Sequence, residues 1–231
     1  MNEIDMMPLA ISLKTTLLAT AIVFVLGLIA ARAVLHLSGG VRAFWDGVFT
    51  LPMVLPPTVV GFILLLIFGR NSPLGEFLIS IGARVIFTWY GAVIAATVVA
   101  FPMMYRTTRG AFEQLDINII HAAKTLGFSD LEIFIKIMIP ASWPGIAAGT
   151  ILAFSRALGE FGATLMIAGN IPGQTQTIPL AIFFAAESGD IQRAMFWVVI
   201  VIVISFITIF AVNYWDILQK RILASKRGEE K

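Results

Sequence analysis

The sequence predicts an all-α, polytopic membrane protein, and three observations carry that expectation. Hydrophobic residues fill 58% of the 231 positions and charged residues only 13%, about half the charged share of an ordinary soluble domain. Mean hydropathy is +0.91. The charges are bunched, leaving charge-free stretches at 15–31, 47–69, 85–105, 137–155, 161–186 and 194–215. A soluble fold of this composition lacks the polar surface to cover itself.

The same composition excludes several functions. A net charge of +2 is too small to point to nucleic acid. With no cysteine, disulfides and thiolate metal sites are ruled out. His36 and His121 are too few and too far apart for a metal cluster. There is no GxxxxGK[ST] run and no GxGxxG after a strand, so the chain lacks a nucleotide motif of its own. If transport is pumped, the motor is another chain.

Crossing the hydrocarbon core takes about 20 helical residues. The chain reads as one transmembrane domain over 1–231 with five spans near 12–35, 48–69, 85–108, 143–168 and 191–215. Glu3 and Asp5 precede the first apolar run and only Lys14 ahead of it is basic, so it reads as a retained span rather than a cleaved leader. Pro52, Pro56 and Pro57 break the start of the second span. Such kinks often lie where a transport path needs irregular backbone, and Thr58 can satisfy a backbone group they free. Beyond that span, Ser72 as N-cap and Pro73 at the first position predict a short outer helix. Leu74, Phe77, Leu78 and Ile81 give it an apolar face, and Gly82 ends it.

The connection 109–140 predicts an elbow of two helices. Asp116 caps a helix of about 117–126, and Gly127 suits the positive φ just past its end. Ser129 with Glu132 forms a capping box for a second helix carrying Ile133, Phe134, Ile137 and Met138. Pro140 and Pro144 bracket the entry to the fourth span. Two caps so close together specify a rigid shape. Lipid contact, the alternative role for this segment, does not require one.

Gly145 to Ala168 reads as a single helix with Arg156 and Glu160 inside it. Gly145, Gly149, Ala153 and Ala157 recur every four residues, which permits close helix contact in lipid and puts this helix at the centre of the bundle. Arg156 and Glu160 share a face. They form either a static ion pair or a site where Arg156 attracts an anion on the path. Gly169-Asn170-Ile171-Pro172-Gly173 breaks the chain. The apolar piece 178–186 is too short to span and fits a re-entrant or pore-mouth segment; a sixth crossing there is the alternative.

Basic residues set the orientation. With the N-terminus outside, Arg32, Arg42, Arg106, Arg109, Lys124, Lys136, Lys220, Arg221, Lys226, Arg227 and Lys231 are cytoplasmic, while Lys14, Arg70, Arg84 and Arg193 are outside. Five spans are few to enclose a path, so a second copy of the chain is expected to complete it, with the path between subunits.

These residues also carry a family likeness. His121-Ala122-Ala123-Lys124-Thr125-Leu126-Gly127, then Ile139-Pro140 and Pro144-Gly145-Ile146, resemble the EAA loop of binding-protein-dependent ABC transporter permeases. The match departs at His121, where the family usually has Glu. Leu51-Pro52, Leu55-Pro56-Pro57-Thr58-Val59-Val60-Gly61 and Arg156-Ala157-Leu158-Gly159-Glu160-Phe161-Gly162-Ala163 resemble the oxyanion branch. Gly169 through Pro179 is similar to ModB-type molybdate permeases.

The resemblance implies a type I ABC importer transmembrane fold in the cell (inner or plasma) membrane. It implies a homodimer that binds two cytoplasmic ATP-binding subunits through His121, Ala122, Ala123, Leu126, Gly127 and Phe128. An extracytoplasmic binding protein would deliver the oxyanion, molybdate first, with tungstate or sulfate as alternatives. This chain would hold no cofactor; the ATP would sit on the partner subunit. Pro56, Pro57, Thr58, Arg156, Glu160, Gly145 and Gly149 are the candidates for the path or its packing. A passive channel or membrane scaffold would leave the capped elbow without a purpose.

Overall fold

The computed structural model describes residues 5–228, with side chains through Phe210. Glu3 and Lys231 lie outside the described residues, as do the side chains of Lys220, Arg221, Lys226 and Arg227. The described residues form twelve α-helices, one π-helical turn and no strand.

Helix α1 (Met7–Leu35) runs 29 residues, about 43 Å at 1.5 Å per residue. Ile11, Thr15, Ala19, Val23 and Ala31 fall on one buried stripe, at the spacing of a helix face. That stripe lies along α5 (Trp89–Glu113). A Cβ at Gly27 would sit 2.5 Å from Met104 Cγ, so only glycine allows this approach.

Helix α5 is the hub, packing on α1, α2 (Gly39–Val54), α3 (Pro57–Phe68), α9 (Trp143–Leu158) and α10 (Gly162–Ala168). Ala92, Ala95, Ala96 and Ala100 are buried along it and let its neighbours come close. The fourth span shares this centre, because α9 and α10 together pack on α1, α3, α5 and α12 (Ile191–Gly228). Helix α9 lies beside α5, where a Cβ at Gly145 would meet Ala111 Cβ at 2.4 Å and one at Gly149 would meet Thr107 Cβ at 3.1 Å. Small residues mark a close helix pair without saying which member is the hub.

The second expected span is two helices meeting at 112°. Helix α2 begins at Gly39 rather than near 48, because Arg42 and Asp46 lie within it and find partners on α5. Pro52 sits inside α2; the break falls at Leu55-Pro56, where both residues are extended, with ψ of 141° and 137°. The residue before a proline is pushed toward that conformation. Pro57 then opens α3, where its missing N–H leaves no bond unmade.

The fourth expected span is also divided. Helix α9 stops at Leu158 and α10 starts at Gly162, so Gly145 to Ala168 is not one helix. Gly159 follows α9, and the Glu160 carboxylate turns forward to accept the Ala163 N–H at 2.8 Å. A carboxylate there satisfies a donor that a new helix leaves free.

The short outer helix is present as α4 (Pro73–Ser80). Ser72 Oγ accepts the Gly75 N–H at 2.9 Å. Gly82 takes a φ of +78° while Ala83 N–H reaches back to the Leu78 carbonyl at 2.8 Å, the bond that closes a Schellman end. Gly169 and Gly173, at +69° and +74°, turn the chain into α11 (Ile178–Glu187), which packs on α12 (Ile191–Gly228) and α1. By length and composition, Met7–Leu35 and Ile191–Phe210 can each cross a membrane. The pairs α2–α3 and Asp130–Ala141 with α9 qualify only when each is taken as one bent span.

Candidate functional site

The elbow is built from local bonds. Helix α6 (Ile117–Thr125) is capped by Asp116, whose side chain accepts the Asn118 N–H at 2.9 Å. Its other end closes with Phe128 N–H on the Ala123 carbonyl at 3.1 Å and Gly127 N–H on Lys124 at 3.0 Å. Gly127 has a φ of +84°, a region L side chains rarely adopt. Helix α7 (Asp130–Ile133) opens with the expected capping box: Ser129 Oγ accepts the Glu132 N–H, and Glu132 accepts the Ser129 N–H at 3.1 Å.

The chain then widens into a π turn at Phe134–Met138 before α8 (Ile139–Ala141). In place of one regular second helix there is thus a helical run with a π register just ahead of Pro140. A proline ring clashes with the carbonyl four residues back, and a π turn is one way to absorb that. The run meets α9 at 76°.

Ion pairs add to the caps. Lys124 Nζ lies 3.0 Å from Asp130 Oδ1, joining the elbow's two arms, and Lys136 lies 2.8 Å from Glu132. The Lys136 ammonium and the Ser129 bonds hold the Glu132 carboxyl down at about 2. Lys124 likewise lowers Asp130.

Sequence reasoning missed what ties the elbow to the bundle. Arg32, at the end of α1, donates to the Asp130 carbonyl at 2.8 Å and lies 4.4 Å over the Phe134 ring. Phe134 meets Phe112 of α5 edge-on at 5.9 Å. Ala123, Ile133, Phe134 and Met138 are buried on this inner face. On the other face Ile117, Leu126, Leu131 and Ile135 are bare, Leu126 at 77% exposure. His121, Ala122, Gly127 and Phe128 are exposed as well. One side of the elbow is anchored to α1 and α5, and the other presents an apolar surface.

A charged network beside it was also missed. Asp46 of α2 accepts from Tyr105 and Arg109 of α5, Arg109 Nε lies 3.2 Å from Glu113, and Arg42 pairs with Glu113. The signal was legible: Arg42 and Asp46 stand four apart, as do Tyr105, Arg109 and Glu113, which puts each set on one helix face.

The two helix breaks form a second locus. Arg156 Nη1 lies 2.7 Å from Glu160 Oε2, with the Glu160 side chain 1% exposed and that of Arg156 29%. Glu160 also accepts the Ala163 N–H in the first turn of α10, so its carboxylate is shared between the ion pair and the backbone. A Cβ at Gly162 would meet Pro57 Cβ at 3.0 Å and Thr58 N at 3.3 Å; one at Gly61 would sit 2.7 Å from Ala163 Cα. Pro57, Thr58 and Glu160–Gly162 therefore converge. Pro56, Pro57 and Thr58 remain exposed, while Gly145 and Gly149 serve the α9–α5 contact. Among the described residues, no group of three or more His, Asp or Glu is placed to hold a metal.

Known proteins match this arrangement. Residues 23–223 match the family described as binding-protein-dependent transport system inner membrane component. The protein YvgM of Bacillus subtilis is 46% identical over 207 residues, covering 89% of this chain and 91% of its own. The molybdenum transport system permease protein ModB of Escherichia coli K12 is 44% identical over 174 residues, covering 75% and 76%. A chain of the MetNI methionine ABC transporter, in an inward-facing crystal structure, shares the fold with a TM-score of 0.68. That chain is 16% identical, and 90% of this chain and 92% of it are covered. The fold is therefore the all-α transmembrane fold of an ABC importer, embedded in a membrane through several passes. With the family match spanning most of its length, the chain belongs to the binding-protein-dependent transport system inner membrane components.

Proposed function

We propose that the chain is the permease half of an ATP-driven oxyanion importer, with molybdate as its cargo. The carrying observation is the elbow: capped at both arms, tied to α1 and α5 by Arg32 and Phe112, and apolar and bare on its far face. A soluble ATPase seated on Leu126, Leu131 and Ile135 would cover that face. Its closing motion would reach the bundle undamped, because a capped bend does not absorb displacement. The likeness to ModB supports molybdate as cargo.

In this reading the plasma membrane is crossed five times, with the N-terminus outside and the elbow in the cytoplasm beside most of the basic residues. A second copy completes the path. Helix α2, which buries none of its residues within one chain and exposes Phe44, Trp45 and Val54, supports such a partner. Two ATP-binding subunits occupy the elbows and hold the ATP, while an extracytoplasmic binding protein delivers and selects the anion. The converging breaks at Pro57–Thr58 and Glu160–Gly162 supply irregular backbone beside the path, as is common where transporters pass their cargo.

Reconstitution with the ATPase and candidate binding proteins tests this. ATP-dependent uptake of labelled molybdate should exceed that of labelled sulfate. Equal uptake or a sulfate preference overturns the cargo, and uphill uptake without any ATPase overturns the mechanism.

A further inference from the structure

A pocket of about 210 Å³ lies under the outer helix, lined by Arg70, Arg84, Leu78, Ile79 and Phe87 among others. Neither guanidinium has an ion-pair or hydrogen-bond partner among the described residues. Arg70 stands just past Gly69 at the end of the apolar helix α3, and Arg84 shortly precedes Trp89 and Tyr90, which open α5. Aromatic residues favour the boundary between hydrocarbon and headgroups; the exposed Tyr90 supports that depth for Arg84, and Arg70 lines the same pocket.

The surroundings are apolar. Leu74, Phe77 and Ile81 of α4 and its end are exposed, and so is Phe87. Phe87 holds a φ of +56°, rare for a bulky residue, fixed by its N–H on the Ile167 carbonyl at 2.9 Å. Glu76, the acidic residue of α4, is not among the residues that line the pocket. An acidic soluble protein seated on the arginines would leave most of this apolar rim in water. A lipid covers both features at once.

We propose that Arg70 and Arg84 hold the phosphate of an anionic phospholipid, whose chains lie along the exposed apolar residues of α4. The site would fix the outer helix against the membrane. This inference rests on the chain being membrane-embedded and not on what it transports, so lipid binding and uptake fail independently.

The test uses the full-length protein in nanodiscs of phosphatidylcholine doped with phosphatidylglycerol, followed by native mass spectrometry of retained lipid. Phosphatidylglycerol should be retained over phosphatidylcholine and saturate as its fraction rises; equal retention of the two overturns the proposal without recourse to any variant. R70Q/R84Q should cut retention about thirtyfold, and R70K/R84K, which keeps both charges, should preserve most of it. Unchanged retention in R70Q/R84Q overturns the site. Displacement of the lipid by millimolar inorganic phosphate also overturns it, in favour of a free-oxyanion site.

Discussion

Between Asp116 and Ser142 the chain turns twice, and each turn is closed by its own neighbours: Asp116 on Asn118, Phe128 on Ala123, Ser129 with Glu132. At Leu55–Pro57 and Leu158–Gly162 it leaves the helix twice more, and there packing from the opposite segment adds to the local bonds. Gly61 and Gly162 press on the opposite segment, while Glu160 is held locally by Arg156 and by the Ala163 N–H. The elbow keeps its shape by itself, as a lever must. The breaks also lean on each other, so a relative movement of α3 and α10 disturbs the contacts at both. Stiffness thus lies where force would enter, and conditional structure lies where a path would open.

Substitutions at the breaks should therefore cost most. Glu160→Ala leaves the half-buried Arg156 guanidinium unpaired and frees the Ala163 N–H; losing both contacts costs about 3 kcal/mol, read as a drop in detergent-solubilised thermal stability. Arg156→Ala together with Glu160→Ala should recover part of that loss. A double variant no better than Glu160→Ala would show that the cap, not the pair, carries the effect. Gly61→Leu comes next. Its first side-chain atom meets backbone at 2.7 Å, and overpacking of this kind costs about 1–3 kcal/mol. Stability unchanged from wild type would mean that α3 and α10 already separate freely.

The same contrast explains what could be read without coordinates. Caps are short-range: Asp116, Gly127, Ser129 and Glu132 announce the elbow because donor and acceptor lie within a few residues. The short helix after Ser72 was legible for the same reason. The division of the fourth span was not, because Glu160 looks like a charge inside a helix until its carboxylate is seen on the Ala163 N–H. Nor was the hub role of α5, since alanine spacing is as good on α9 as on α5 and only the partner set decides between them. Arg32 was read as an orientation charge. Its bond to the Asp130 carbonyl spans 98 positions, and no local pattern encodes it.

The elbow should respond more gently. Nothing lies within 4 Å of a Cβ at Gly127, so Gly127→Val suffers backbone strain alone, roughly 1–2 kcal/mol for an L residue held left-handed. Co-purification with the ATPase should fall, and Gly127→Asn, which tolerates that conformation, should retain it. Full retention by the valine variant would count against a docking role for the bend.

The smallest effect concerns pH. The Glu132 carboxyl titrates at about 2, well below its ordinary 4.5, chiefly through Lys136 and then through the Ser129 bonds. A carboxylate lowered on folding stabilises above its unfolded value, and that stabilisation fades as pH falls through the folded one. Ordering of 129–136 should accordingly hold from neutral pH down to about 4.5 and weaken between there and about 2. Because the carboxylate is exposed, added salt should shrink the effect. Amide exchange on the Ser129 and Glu132 N–H groups reads it directly, and Glu132→Gln should remove the pH dependence while keeping much of the cap. If the glutamine variant loosened on acidification to the same extent as wild type, the titrating group would have to be Asp130. Its bridge to Lys124 joins the two arms, so the loosening would then appear between the arms and not within the capping box.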